Sequence, residues 1–256
     1  MSELKPPNSY EGIPNPKVYD SVIAGLKLLF SSSRISVSGE ENIPEGPVIF
    51  ATTHRGYGDI PILGVCAPDR RIRFVAKKEL FSVPLLRTLM INTGAIPVDR
   101  KNPGQDTFHG IISGLKSQQD PNTFIAPEGG IKTGDEVGKI QPGLGFIACF
   151  TNASIVPTGI YGTEKLPYWI NPGDAHIHFG DSFETKPICE YDPALDLSMR
   201  HSNKLFTDGI GHIREISSQV HEGMQNAFEI ARLENAHRSS PNYFVMSLTG
   251  SRPVLS

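Results

Sequence analysis

Apolar positions recur at helical spacing in Val22, Ile23, Leu26, Leu29 and Phe30, which predicts one amphipathic helix over 18–30. From Val48 onward the pattern changes. Short apolar runs predict strands at 48–51, 72–76, 95–98, 123–126, 155–160 and 175–179. Between them, helical spacing predicts helices at 60–65, 84–91, around Phe108, Ile111, Ile112 and Leu115, and at 144–150. Near the C-terminus Ile210, Ile213, Ile216, Val220, Met224 and Phe228 fall on one face of a long or broken helix. Strand–helix alternation of this kind predicts an α/β fold, a mixed and largely parallel sheet flanked by helices. Residues 1–35 read as a Pro-rich arm plus the amphipathic helix, and residues 36–256 as one domain ending in the long helix.

Composition narrows the function classes. The chain has 256 residues, 24 Lys+Arg against 27 Asp+Glu, and a net charge of −3. That balance argues against a nucleic-acid partner bound by bulk charge. Three widely spaced cysteines, Cys66, Cys149 and Cys189, make neither a fully paired disulfide framework nor a CxxC knuckle, and suit a reducing compartment. No apolar run reaches the ~18–20 residues of a spanning helix, and residues 1–17 hold no signal-peptide core. The expected location is cytoplasmic. Gly 25 and Pro 21 together exceed the average share, which suggests many structured loops.

Those loops carry the chemistry. Ligands in open α/β sheets bind beyond the carboxyl ends of the strands. Three strand ends there deliver polar residues: Thr53-His54-Arg55-Gly56-Tyr57-Gly58-Asp59, Asp99-Arg100, and Pro127-Glu128-Gly129-Gly130. Gly56 and Gly58 let the backbone fold back so that Asp59 can hold one nitrogen of His54, leaving the other to take a proton. Equally, Asp59 can be an N-cap ahead of Pro61. No Ser or Cys sits beside the pair as a nucleophile. Arg100 suits a phosphate or carboxylate, or else an ion pair with Asp99 or Glu79. The stretch Arg70 to Lys78 reads either as a solvated basic face or as one that meets an anionic lipid surface or a phosphorylated cofactor. His176 and His178 share one strand face and lack a third metal ligand, so they read as sheet-surface histidines, and no metal is expected.

Taken together the motifs resemble the glycerol-phosphate and lysophosphatidic acid acyltransferase family. His54 and Asp59 match its His-x4-Asp motif. Ala76-Lys77-Lys78-Glu79-Leu80 with Pro84-Leu85-Leu86 resembles the block that follows, and Gly94 to Arg100 matches Gly-x-Ile-x-Val-Asp-Arg. Pro127-Glu128-Gly129 meets part of Phe-Pro-Glu-Gly-Thr-Arg, and Val156-Pro157 matches the fourth motif. The resemblance covers about residues 36–185. It implies that family's fold and transfer of a fatty acyl group from acyl-CoA or acyl carrier protein to a hydroxyl of a lysophospholipid-like acceptor. His54 would be the general base and Asp59 its orienting partner. Arg100, Glu128, Gly129, Gly130 and Lys77 would bind substrate. No cofactor beyond the acyl donor is implied.

Departures from the pattern bear on the acceptor. Ile131 stands where the family has a second phosphate-binding Arg, and Lys132 is the nearest cation. Thr53 replaces Asn, Gly56 replaces a frequent Ser, and Gln141 replaces a basic residue. These changes leave room for an acceptor without phosphate, such as a glycolipid, or for a lipid- or acyl-carrier-binding protein with altered catalysis. A lipid acceptor, the helix over 18–30 and the basic stretch together imply contact with a membrane surface, peripherally on its inner face.

Overall fold

The computed structural model describes residues 12–67, 69–99, 104–117, 121–163, 174–188, 190–192 and 204–238. The strands are β1 (Arg34–Ser38), β2 (Val48–Thr52), β3 (Ile72–Lys77), β4 (Ala95–Val98), β5 (Asn122–Ile125), β6 (Ser154–Tyr161), β7 (Asp174–Phe179) and β8 (Phe183–Glu184). They form one sheet in the order β1-β7-β6-β2-β5-β3-β4, with β8 paired to β6. The five strands from β6 through β4 (β6, β2, β5, β3, β4) form a parallel block, whereas β7 and β8 pair with β6 antiparallel and β1 runs parallel to β7. The expected mixed, largely parallel sheet is observed.

Among the described residues six α-helices cover it: α1 (Pro16–Leu29), α2 (Asp59–Cys66), α3 (Pro84–Asn92), α4 (Gln105–Lys116), α5 (Gly143–Ala148) and α6 (Lys204–Arg238). All five residues of β2 are buried, as expected of a central parallel strand covered on both faces. One face carries a core built from α4, α5 and α6. There Ile213, Ile216, Val220, Met224 and Phe228 of α6 are all buried, on the face that their spacing predicts. The other face packs Ile62, Leu63 and Phe30 against Phe50, Phe74 and Phe179.

Two strands have no counterpart in the sequence pattern. β1 offers only Ile35 and Val37 in alternation, too short a signal to separate from a loop. It gains its place by pairing with β7, some 140 residues away. The boundary drawn between residues 35 and 36 falls inside this strand. β1 also changes the reading of the two histidines. His176 is fully buried rather than on the sheet surface, and its Nδ1 and Nε2 meet Ser36 Oγ at 2.6 Å and Ser38 Oγ at 2.8 Å. Ser38 also meets His178 Nδ1 at 2.8 Å, and burial pushes the His178 pKa down.

The basic stretch is not a free cationic face. Arg70 donates to Asn122 Oδ1 and Pro44 O, Arg71 pairs with Asp20, and Lys78 pairs with Asp99. Arg73 is wholly buried and donates to the carbonyls of Gly12 and Gly114. A buried guanidinium is tolerated because carbonyl oxygens take up its donors. In this way Arg73 ties the segment before α1 to α4.

Candidate active site

β2, β5 and β6 are parallel neighbours, so the loops beyond their carboxyl ends meet. His54 follows β2. Its Nδ1 lies 2.8 Å from Asp59 Oδ2, and the same oxygen accepts the backbone N–H groups of Arg55 at 2.8 Å and Gly56 at 2.9 Å. Asp59 Oδ1 accepts the hydroxyl of Thr163 at 2.5 Å. With three other donors aimed at it, the carboxylate acts as an acceptor. In the neutral imidazole Nδ1 of His54 then carries the proton, and Nε2 is left as the acceptor. Asp59 is fully buried and His54 nearly so, with the imidazole edge-on to Phe124. The N-cap reading of Asp59 does not hold: the cap position is Gly58, and the carboxylate turns back to its own loop. Thr53, also buried, accepts the N–H of Ile160 at 3.0 Å and so ties this loop to β6.

His54 lines a cavity of about 1330 Å³. That exceeds the ~300–1,000 Å³ of ordinary small-ligand pockets. Its walls are chiefly apolar and come from α1, α2, α3, α4, β3, β5 and α5, with Leu26, Leu29, Leu86, Met90, Ile111 and Ile147 among them. The helix predicted over 18–30 is therefore both packed on its own domain and part of the cavity wall. Such a space fits one or more hydrocarbon chains beside a proton-accepting nitrogen.

The expected substrate residues take different places. Gly129 (φ +80°) and Gly130 form the turn after β5 and line the cavity, as does the exposed Lys77. Lys132 lines it too, and its N–H donates to His54 O at 2.8 Å, joining this loop to the histidine's. Arg100 lies outside the described residues. Glu128 also lines the cavity. Its side chain is fully buried, and Oε2 accepts the N–H of Gly138 at 2.7 Å and faces Arg55 Nη1 at 3.7 Å. Oε2 thus helps to hold the 128–138 loop, while Oε1 has no hydrogen-bond partner among the described residues.

Arg55 was not singled out by the sequence. It donates to Glu136 O at 3.0 Å and stacks 4.5 Å above the Phe228 ring of α6. It thereby joins the histidine loop, the 128–138 loop and the C-terminal helix. Its only local signal was the position next to His54. No thiol competes as a nucleophile among the described residues. Cys66 and Cys149 are buried, and burial pushes the Cys66 thiol up to about 12. Among the described residues no group of three or more His, Cys, Asp or Glu is placed to hold a metal ion.

Known proteins resemble the chain in sequence and in fold. The model of the Acyltransferase family matches residues 34–161, half of the chain. A 1-acyl-sn-glycerol-3-phosphate acyltransferase of Bacillus subtilis (strain 168) is 31% identical over 166 residues, which span 64% of this chain and 81% of that protein. A lyso-ornithine lipid O-acyltransferase of Pseudomonas aeruginosa is 26% identical, over 52% of this chain and 50% of that protein. The crystal structure of the Thermotoga maritima 1-acyl-sn-glycerophosphate acyltransferase PlsC superposes with a TM-score of 0.59 at 19% identity. It covers 85% of this chain and 79% of that one, and it supports the fold. The motifs in register, the family match and the shared sheet lead to one conclusion: the chain belongs to the acyltransferase family and is an acyltransferase.

Proposed function

We propose that this enzyme moves a fatty acyl group from a thioester, on acyl-CoA or acyl carrier protein, to a hydroxyl of a lysophospholipid-like acceptor. The observation that carries this reading is the His54–Asp59 pair opening on a large apolar cavity. His54 Nε2 takes the acceptor's hydroxyl proton as the oxygen attacks the thioester carbonyl. The tetrahedral intermediate collapses with cleavage of the C–S bond. The thiolate then leaves with the proton that His54 returns, and Asp59 keeps the imidazole in the productive tautomer throughout. The relatives act on a glycerol phosphate lipid and on an ornithine lipid, so the acceptor class here is a single-chain lipid with a free hydroxyl.

Lys132 supports a phosphate-bearing headgroup. It is a flexible point charge on the loop bonded to His54, one residue beyond the exposed Ile131. Turnover of acyl-CoA against a panel of lysolipids and glycolipids, read by mass spectrometry, tests both points. Acylated lysophospholipid is the expected product. Lys132→Ala should raise KM for phosphate-bearing acceptors about tenfold, the low end for a hydrogen bond to a charged group at an exposed site. An unchanged KM, with glycolipids acylated best, would favour the phosphate-free acceptor.

The exposed apolar rim of the cavity supports a site that meets a membrane surface from the water side. No described helix is long and apolar enough to cross one. Apolar side chains crowd the outside of the cavity: Leu29, Leu80 and Leu89 both line it and reach solvent, and Leu28 and Leu85 are 77% and 84% exposed. Burying one leucine in lipid stabilises by about 1.5–3 kcal/mol. Leu28→Glu with Leu85→Glu should therefore weaken vesicle co-sedimentation by about a hundredfold. Equal binding of both forms would remove this face from membrane contact.

A further inference from the structure

The catalytic carboxylate has a partner that lies far from the motifs around it. Thr163 follows β6 and Gly162, 104 residues beyond Asp59 in the chain. Its side chain is fully buried, and its hydroxyl donates to Asp59 Oδ1 at 2.5 Å. Asp59 Oδ2 is shared among His54 Nδ1 and two backbone N–H groups, whereas among the described residues Oδ1 has the Thr163 hydroxyl alone. Two oxygens held from two different loops fix the plane of the carboxylate. That plane decides where Oδ2, and with it the imidazole, points.

The approach of the two loops is itself built in. A Cβ at Gly56 would lie 2.2 Å from the carbonyl oxygen of Thr163 and 3.0 Å from its carbonyl carbon. These are backbone atoms that no rotamer change can move aside. Gly56 is one of the departures from the family pattern, and here it is what admits Thr163 to the pair.

We propose that Thr163 is a positioning residue for acyl transfer, acting through Asp59 to hold His54 in register with the acceptor hydroxyl. This rests on the reading of His54 as general base. Thr163→Val keeps the side-chain shape and removes the donor, leaving a buried carboxylate oxygen unsatisfied. The carboxylate then relaxes, and the histidine with it.

Steady-state kinetics of the purified full chain, with acyl-CoA and the preferred lysolipid, tests the proposal. The wild type, Thr163→Val, Thr163→Ala and Thr163→Ser are compared, with His54→Ala as control. Thr163→Val should lower kcat about tenfold to a hundredfold, with KM for both substrates within about twofold. Thr163→Ser, which restores a hydroxyl, should recover most of kcat. Should the Val form not fold, the Ala and Ser forms are compared instead. Equal kcat in the two, or a loss that falls on KM, overturns the role. A fully active His54→Ala overturns the general-base reading beneath it. An inactive His54→Ala beside an undiminished Thr163→Val overturns this inference alone.

Discussion

His54→Ala is expected to lower acyl transfer by about 10²–10⁴-fold, the range that a positioned general base contributes. The acceptor alcohol is a weak nucleophile at neutral pH, so the attack depends on a base within hydrogen-bond reach. Nδ1 of His54 is committed to Asp59, and Nε2 is the remaining lone pair on the cavity side of the sheet. No buried thiol stands ready to replace it among the described residues. The fold should survive, because the Asp59 carboxylate keeps the N–H groups of Arg55 and Gly56 and the hydroxyl of Thr163. Release of CoA thiol, followed continuously, measures the effect, and circular dichroism reports the fold. A folded His54→Ala that transfers acyl groups at the wild-type rate would sink the mechanism.

Gly159→Ala is expected to cause the largest loss of stability. Gly159 sits in β6 under α6. A Cβ there would lie 2.3 Å from Ala227 C, 2.3 Å from Ala227 O and 2.4 Å from Phe228 N. All three are backbone atoms, so relief requires the helix itself to lift from the sheet. The same helix brings Met224 and Phe228 into the core and sets the Phe228 ring under Arg55. Overpacking costs about 1–3 kcal/mol, and a clash with backbone belongs at the upper end. For a chain of this size that lowers Tm by roughly 6–12 °C. Calorimetry checks it. Gly211, also in α6, has no heavy atom within 4 Å of its Cβ position, so Gly211→Ala is the matched control and should not lower Tm. Equal melting of both variants would mean that α6 does not bear on β6 this closely.

Much of the site was legible because its parts are local. His54 and Asp59 are five residues apart, and the loop that joins them also supplies the two N–H groups that hold the carboxylate. The Pro127-Glu128-Gly129-Gly130 turn was legible as a strand end, but the contacts of Glu128 were not. Local sequence has no means of showing that its carboxylate accepts from Gly138 and faces Arg55. Arg73 shows the same gap. Within a run of cations it reads as surface, yet it is among the most buried side chains in the protein. The carbonyls of Gly12 and Gly114 that hold it are 61 and 41 residues away.

What the sequence determined by itself was the order of the strands from β2 to β7 and of the helices among them, the buried stripe of α6, the candidate residues at strand ends, and the family. Each of these is written in neighbouring residues, as periodicity or as a short motif. The tertiary structure alone decided the pairing of β1 with β7, the burial of His176 and Arg73, and the anchoring of Glu128. It also decided the meeting of Gly56 with Thr163 and the cavity enclosed between α1, α3 and α5. These depend on contacts between segments tens to more than a hundred residues apart. Whether a polar side chain is solvated, paired or catalytic is set by what the folded chain brings against it.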